Sequence, residues 1–366
     1  MRVGVCVRGV KLLRDREASC CAGVWASMRV RVLWVLLCTS WEADAFAVRG
    51  TGNAAYAATY GSAAKVDQAA YENADFWKQV KAEVPGFDDA PELARYRGWV
   101  ANLITKPPGE CKVLETGQEV LTQYVFPGLQ DPATVKRVAF PSLPEVEEIL
   151  REKVAPTAQA ELVELLRARP LVEDDAPAAE GDGGESWNRC AWFGWQFISL
   201  RDAKPWMPGT IRALEKNGVP LAHRFIGIAR QRADCRGTLH SDRRNYLLST
   251  LTGLEVPAGC AVEVPGHGER VLRNGEVVVL DNTFKHVVYN EHPTKDRFVL
   301  MAEVWHPGLT EREREALGAT FAVKDRFTLL NLRQCPWGFS EGELTRAIQS
   351  KDFLNLDFWR RASYGQ

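Results

Sequence analysis

The chain has 366 residues, with 46 Lys and Arg against 47 Asp and Glu, so its formal net charge is −1. This length accommodates one large domain or two ordinary ones, and 46% hydrophobic residues are ample for a core. The balanced charge gives no sign of a nucleic-acid-binding protein, so no nucleic-acid partner is expected.

The N-terminus has the pattern of a secretory targeting segment. Met28 precedes two arginines and the apolar run 32–38, and the small-x-small site Ala43-Asp44-Ala45 follows. These features predict a signal-type presequence over residues 1–45, with Met28 as an alternative start, although a short buried helix or strand would also fit. Beyond it, no apolar run is long enough for a stable membrane span in the mature chain.

The next segment, 46–66, is rich in Ala, Gly, Ser and Thr and contains no acidic residue before Asp67. This composition is typical of a transit peptide. Its junction, ADAFAVRG, resembles plastid presequences of algae with secondary plastids. The expectation is secretory entry by the signal peptide, to the ER lumen or to such a plastid.

Nine cysteines are present, and the five that follow the presequence are scattered. They are odd in number and contain no C-x-x-C pair. They therefore support neither a disulfide framework nor a zinc ribbon.

The first half of the mature chain reads as helical. Apolar residues recur every three or four positions within 67–105, which predicts a helical N-terminal region over 67–123. Two further helices are predicted at 143–154 and 158–169. The acidic, Ala- and Gly-rich stretch 172–186 has almost nothing to bury and reads as a surface loop.

After Trp187 the pattern changes to short strands separated by turns. The predicted strands are 191–200, 254–257, 260–264, 276–281, 285–290 and 297–305. Asn274-Gly275 predicts a type I′ hairpin between two of them. Closely spaced strands with hairpin turns favour a jelly roll or barrel over a parallel sheet.

A His-x-acid pair, His240 and Asp242, is the first candidate for metal binding. On a strand, residues two apart share one face, so both side chains can reach one ion. The pattern alone is weak, because a chain with 6 His and 47 Asp and Glu produces such matches by chance. His267 begins a second match, but it lies in a Gly-bracketed connection and is more typical of a solvated loop.

Two later residues make the first pair more significant. His286 begins one strand, and Arg297 opens another. This set resembles that of the non-haem Fe(II) dioxygenases, in which two imidazoles and one carboxylate occupy one face of an octahedral ion and leave positions for the keto acid end of 2-oxoglutarate and for dioxygen. A planar Arg suits the far carboxylate of 2-oxoglutarate.

Short sequence motifs around these residues occur in a specific order along the chain. They are His240 to Asn245, Gly253-Leu254 with Pro257, Asp281 to Phe284 and His286, then Arg297 and Trp305-His306-Pro307. Together they resemble the aspartyl/asparaginyl β-hydroxylase family over about residues 124–318. The resemblance implies a double-stranded β-helix at 124–320, mainly β with flanking helices and preceded by the helical region, with 321–366 as a C-terminal extension.

The same resemblance implies a hydroxylase that uses Fe(II) with 2-oxoglutarate and O2 as cosubstrates. Oxidative decarboxylation of 2-oxoglutarate to succinate and CO2 would accompany hydroxylation of an unactivated C–H bond. His240, Asp242 and His286 would hold the metal, and Arg297 would anchor 2-oxoglutarate. The partner expected is a protein, peptide or small-molecule substrate.

The chain departs from the family in two places. The best-known members have Gly where this chain has Asp242 and bind iron through two histidines alone. Asp242 either ligates the metal or turns outward to bond Arg243 or Arg244. The family's basic residues after the Asn are replaced by apolar residues and a serine: Leu247, Ser249 and Leu251.

Those replacements weaken any transfer of aspartyl specificity. Asn245, Arg243 and Arg244 are the candidates for substrate binding, although an exposed Arg pair is more often a solvated surface. Two rival functions stay open: a non-catalytic cupin-like protein that binds a metabolite, and a redox-inactive metal enzyme on the same fold. Neither rival requires all four of the iron- and cosubstrate-binding residues.

Overall fold

The computed structural model describes residues 68–129, 138–169, 171, 188–190, 195–332, 334, 336, 348–356 and 358–359. The predicted presequence, the predicted transit segment and the predicted loop at 172–186 lie outside these residues and stay predictions. Across the described part of the chain, no helix has both the length and the apolar character needed to cross a bilayer.

Helices dominate the first part of the described chain and return near its end. The α-helices are α1 (Ala74–Glu83), α2 (Ala94–Thr105), α3 (Pro144–Ile149), α4 (Ala155–Ala168), α5 (Leu200–Ala203), α6 (Pro208–Lys216) and α7 (Glu311–Leu330). Short 3-10 turns lie at Pro91–Leu93, Thr122–Tyr124 and Asp352–Leu354.

A π-helical turn, Leu150–Val154, joins α3 to α4. The sequence predicted two helices here, and the structure instead has one continuous helical stretch. Pro156, in the first turn of α4, has no backbone N–H to donate to the preceding turn. The wider π turn accommodates this missing donor, so the proline does not end the helix.

Twelve strands follow one another in the described residues. They are β1 (Cys111–Val113), β2 (Glu119–Leu121), β3 (Asn188–Cys190), β4 (Trp195–Ser199), β5 (Leu221–Gln231), β6 (Cys235–Arg236), β7 (Leu247–Glu255), β8 (Cys260–Val264), β9 (Gly268–Val271), β10 (Val277–Leu280), β11 (Val287–Asn290) and β12 (Arg297–Trp305). β1 and β2 form a separate two-stranded sheet.

From β5 to β12 the chain passes back and forth between two antiparallel sheets. The major sheet has the order β10-β7-β12-β5-β4-β3, and the minor sheet has the order β6-β11-β8-β9. One buried cluster joins Val262 and Val264 of the minor sheet to Leu251, Leu280 and Val299 of the major sheet. The two sheets therefore face each other across a shared core, which confirms the predicted double-stranded β-helix.

The other face of the major sheet packs against helices. Strand alternation directs Leu248, Leu254 and Leu300 to this side, where they join Leu162 of α4 and Ile211 of α6 in a second cluster. The central strands β7 and β12 are thus covered on both faces. This explains why both are buried along almost their whole length.

The predicted type I′ hairpin at Asn274-Gly275 is wrong. Gly275 has a φ of +75°, but Asn274 is not among the residues with positive φ, and a type I′ turn requires both. The flanking strands also do not pair with each other, because β9 pairs with β8 and β10 pairs with β7. The turn therefore carries the chain from the minor sheet to the major sheet.

Helix α7 packs against the N-terminal helices. The Tyr96 hydroxyl of α2 lies 2.6 Å from the Thr320 hydroxyl, and Trp99 makes an edge contact with Phe321. Glu313, which is buried in the first turn of α7, forms an ion pair with the partly exposed Arg95. The helix runs without interruption across residues 320 and 321, where the sequence predicted the start of a C-terminal extension.

Close backbone approach makes Gly253 a sensitive position. A Cβ there would lie 2.0 Å from the Arg273 carbonyl oxygen, whereas a Cβ at Gly318 in α7 would meet nothing within 4 Å. We expect Gly253→Ala to lower the free energy of unfolding by about 2 kcal/mol, because backbone must move. Gly318→Ala, the control, should leave it unchanged or raise it by up to about 1 kcal/mol. Equal urea midpoints for the two variants would contradict this packing.

Candidate active site

Two segments distant in sequence meet at the site as an isolated β-bridge between His240 and His286. The His240 amide donates to the His286 carbonyl at 3.1 Å, and the His286 amide donates back at 2.8 Å. The bridge places the two rings on one side, with centroids 4.4 Å apart. It brings together the two histidines that the sequence predicted to share a metal ion.

Both imidazole rings are oriented by a backbone carbonyl two residues earlier in the chain. His240 Nδ1 lies 2.9 Å from the Thr238 oxygen, and His286 Nδ1 lies 3.0 Å from the Phe284 oxygen. A carbonyl can only accept, so each Nδ1 must carry the proton. This tautomer puts the lone pair on Nε2, the arrangement that a metal-binding histidine requires.

Asp242 lies beside the histidine pair. Its Oδ1 is 3.9 Å from His240 Nε2, and its Oδ2 accepts a hydrogen bond from Asn282 Nδ2 at 3.1 Å. The predicted alternative, an outward turn to a neighbouring arginine, does not describe these contacts, since Arg243 pairs with Glu119 instead. The carboxylate is thus on the same side as the rings and is held there by an amide.

The three side chains are close together but do not converge. Among the described residues, no group of three or more His, Cys, Asp or Glu has an arrangement that could hold a metal ion as it stands. Adjacent ligands of an octahedral ion at about 2.1 Å are roughly 3.0 Å apart. The 3.9 Å between His240 and Asp242 would therefore have to shorten by about 1 Å.

Electrostatics keep the inner histidine neutral. Burial, and to a lesser extent the neighbouring His240, lower the pKa of His286 to about 4 against the opposing effects of Asp242 and the Phe284 carbonyl. At neutral pH the ring is therefore uncharged and can offer its Nε2 lone pair.

Arg297 opens β12 and is buried to 4% exposure. Within the described part of the chain, neither its Nε nor its Nη1 has a hydrogen-bond partner. Burial lowers the pKa of Arg297 to about 10, while Cys260 and Cys235 raise it, so the group is still charged at neutral pH. A buried cation with unused donors is costly and favours an anionic partner.

Of the predicted substrate-binding residues, Asn245 is fully buried and bonded within the protein. Its Oδ1 accepts from the Phe126 amide and its Nδ2 donates to the Phe126 carbonyl. Arg243 contacts Glu119, and Arg244 lies over the Tyr124 ring. A part for these three residues in substrate binding stays a prediction.

His267 lies in the turn between β8 and β9, as the sequence indicated, with its ring against Phe284. Reading the sequence missed Asn282, Gln118 and Glu119, which contact the loops that carry the histidines. Asn282 lies between Asp281 and Phe284 of the ordered motif. Gln118 and Glu119 carry no local signal, because they are far from these loops in sequence.

Comparison with known proteins finds similarity over the part of the chain that contains this site. The family model described as aspartyl/asparaginyl beta-hydroxylase matches residues 152–307. Aspartate beta-hydroxylase domain-containing protein 2 of Mus musculus is 29% identical over 140 residues, which are 36% of this chain and 40% of that protein. Aspartyl/asparaginyl beta-hydroxylase of Mus musculus is 31% identical over 81 residues, covering 22% of this chain and 11% of that protein.

The matches thus span two fifths or less of these relatives' own lengths. A solved structure of HygX from Streptomyces hygroscopicus, with nickel and 2-oxoglutarate bound, aligns with 47% of this chain and 84% of its own. Its sequence identity is 12% and its TM-score is 0.30, a likeness too slight to carry a functional argument.

The low pKa of His286 predicts how metal-free stability depends on pH. Because the folded pKa is about 4, the unfolded chain, with a pKa of about 6.5, binds more protons between these values. Stability should therefore fall as the pH is lowered from 6.5 towards 4. In urea titrations over that range, the free energy of unfolding of His286→Gln should fall less steeply than that of the parental chain. Equal slopes for the two proteins would show that His286 is not buried in its neutral form.

Proposed function

Residues 152–307 belong to the aspartyl/asparaginyl β-hydroxylase family, and from this we propose that the chain is an Fe(II)- and 2-oxoglutarate-dependent hydroxylase. Its reaction would insert oxygen into an unactivated C–H bond of an amino-acid, peptide or protein substrate. The support comes from the donor set at the His240–His286 bridge and from one buried cation.

The observation that carries the proposal is the Arg297 guanidinium, whose Nε and Nη1 have no hydrogen-bond partner among the residues that the structure describes. A buried charge without a counter-ion costs several kcal/mol, and a fold retains it where a ligand supplies the opposite charge. The planar fork of Arg matches a carboxylate in two parallel hydrogen bonds. The distal carboxylate of 2-oxoglutarate provides such a group.

The residues at the bridge fit an iron ion by their chemistry. His240 and His286 would hold it through Nε2, because both Nδ1 atoms donate to carbonyls. Asp242 would complete a two-histidine, one-carboxylate face. When bound, iron supplies the oxidative decarboxylation of 2-oxoglutarate that is coupled to hydroxylation.

This chain's own residues would then position the cosubstrate and limit water. Arg297 is 4% exposed and His286 is 4% exposed, so charge interactions at the site act in a poorly solvated environment. Asn282 holds the Asp242 carboxylate on the side of the histidines. The protein's contribution is thus orientation and exclusion of solvent.

The proposed substrate class is broader than the names of the relatives. Leu247, Ser249 and Leu251 are buried, and Ser249 lies 3.1 Å from Asn282 Nδ2. These positions therefore offer no cation to an acidic side chain. We also propose secretory entry, to the ER lumen or a plastid. This part of the proposal depends only on the sequence of residues 1–66, which are not among the residues that the structure describes.

Anaerobic mixing of the purified chain with Fe(II) and 2-oxoglutarate tests the function directly. We expect a visible charge-transfer absorption band, followed by succinate release when oxygen is admitted. A band with no succinate in the presence or absence of candidate peptides would indicate a binding protein. If no band appears with Fe(II) and Zn(II) alone supports turnover of a substrate without succinate release, the chain is a redox-inactive metal enzyme.

Substitution of the buried cation should act on the cosubstrate. Arg297→Leu should raise the KM for 2-oxoglutarate by at least roughly 30-fold, the equivalent of about 2 kcal/mol for a lost charged pair. Arg230→Leu is the matched control, since Arg230 is buried in the adjacent strand but paired with Asp296. An unchanged KM in Arg297→Leu, measured by succinate release, would assign this role to another residue.

Asp242 decides between a three-residue and a two-histidine metal site. If it ligates iron, Asp242→Ala should weaken Fe(II) binding by about 10-fold or more. Asp234→Asn removes an exposed charge from the preceding turn and serves as the control. Substantial hydroxylase turnover by Asp242→Gly, with parental Fe(II) affinity, would show that the histidines suffice.

A further inference from the structure

We infer that Glu119 is a positioning residue that holds the two histidine-bearing loops in register from behind the site. It lies on β2, outside the region matched by the family model. The inference rests on the proposed function only in taking His240, Asp242 and His286 as the metal-binding residues.

The backbone of β2 makes hydrogen bonds to both loops. The Glu119 amide donates to the Thr283 carbonyl at 2.7 Å, and the Leu121 amide donates to the Arg243 carbonyl at 3.1 Å. One loop carries His286 and the other carries His240 and Asp242. β2 therefore connects the two loops independently of the bridge between the histidines themselves.

The Glu119 side chain repeats this connection with charge. Its Oε1 lies 2.9 Å from Lys285 Nζ, and its Oε2 lies 3.4 Å from Arg243 Nε. Lys285 directly precedes His286, and Arg243 directly follows Asp242. The Glu119 side chain is 9% exposed, while those of Lys285 and Arg243 are 53% and 35% exposed, so solvent screens both attractions in part.

The connection lies on the face opposite the metal-binding side chains. Ser241 is between His240 and Asp242, and its hydroxyl points the other way, to the carbonyls of Asn282 and Thr283. Glu119 reaches the loops on this opposite side, where its own carbonyl lies 3.5 Å from the Ser241 hydroxyl. It can therefore fix the spacing of the loops without touching the metal or substrate.

Neighbouring residues add further contacts between β2 and the two loops. Gln118 Nε2 donates to the Thr283 hydroxyl at 2.6 Å and to Asp281 at 3.1 Å. Arg243 has a φ of +63°, which a residue with a side chain adopts at a cost. Its contact with Glu119 and the bond from Leu121 to its carbonyl are interactions that stabilise this conformation.

Co(II) binding to the full metal-free chain tests the inference, with the visible spectrum reporting the ligand geometry. Glu119→Gln should weaken Co(II) affinity by about 10-fold or more and alter the spectrum, as supporting contacts to metal ligands typically do. Glu313→Gln removes the ion pair of another buried glutamate, with Arg95, and should lower the Tm without changing Co(II) affinity. Parental affinity and spectrum in Glu119→Gln would overturn the inference.

Lys285→Met distinguishes a positioning role from a purely electrostatic effect on the metal ion. It remains informative if Glu119→Gln does not fold. Lys285 is 53% exposed on its side chain, so its loss should be tolerated. Removing a cation near the ion should tighten Co(II) binding if only charge matters, whereas a lost connection should weaken it. We expect weaker binding, and tighter or equal binding would contradict the inference. If His286→Ala binds Co(II) as the parental chain does, the proposed metal site fails instead.

Discussion

The candidate site depends on the pair of backbone hydrogen bonds that His240 and His286 exchange. His286 directly precedes the minor-sheet strand β11, whereas His240 lies beyond the end of β6, so the bridge itself brings the two residues together. The bridge sets the 4.4 Å separation of the rings, and the carbonyls two residues upstream set their tautomers. Backbone geometry thus determines what the side chains can bind.

The two sheets, the helices and β2 form the scaffold around this bridge. The two facing sheets bury Arg297 at the start of β12 without giving its Nε or Nη1 a partner in the described chain. The helices cover the outer face of the major sheet, and β2 joins the two loops on the side away from the rings. The proposed metal-binding residues and the proposed anion-binding arginine are therefore held by separate parts of one scaffold.

Sequence reasoning succeeded where the signal was local or ordered along the chain. Apolar periodicity predicted α2, and short apolar segments separated by turns predicted β8 and β12, because such patterns are properties of short windows. The ordered motif selected His240 and His286 from 6 histidines, and the structure brings these two together. The jelly roll followed from the same motif and is confirmed.

The errors arose where the outcome depends on distant partners. Turn chemistry at Asn274-Gly275 predicted a turn correctly, but it could not tell which sheet each flanking strand would join. Strand β5 was missed, since Gly227 interrupts its apolar pattern and its stability comes from pairing with β4 and β12. Glu119 was also missed, because a three-residue strand has no periodicity and its partners are contributed by later loops.

A crystal structure of the chain grown anaerobically with Fe(II) and 2-oxoglutarate, with the iron located by anomalous scattering, would show whether these residues form the site. We expect iron bound by Nε2 of His240 and His286 and by Asp242, each at about 2.0–2.2 Å. We also expect the distal carboxylate of 2-oxoglutarate on Arg297. Iron bound elsewhere, or 2-oxoglutarate without contact to Arg297, would contradict the proposed site.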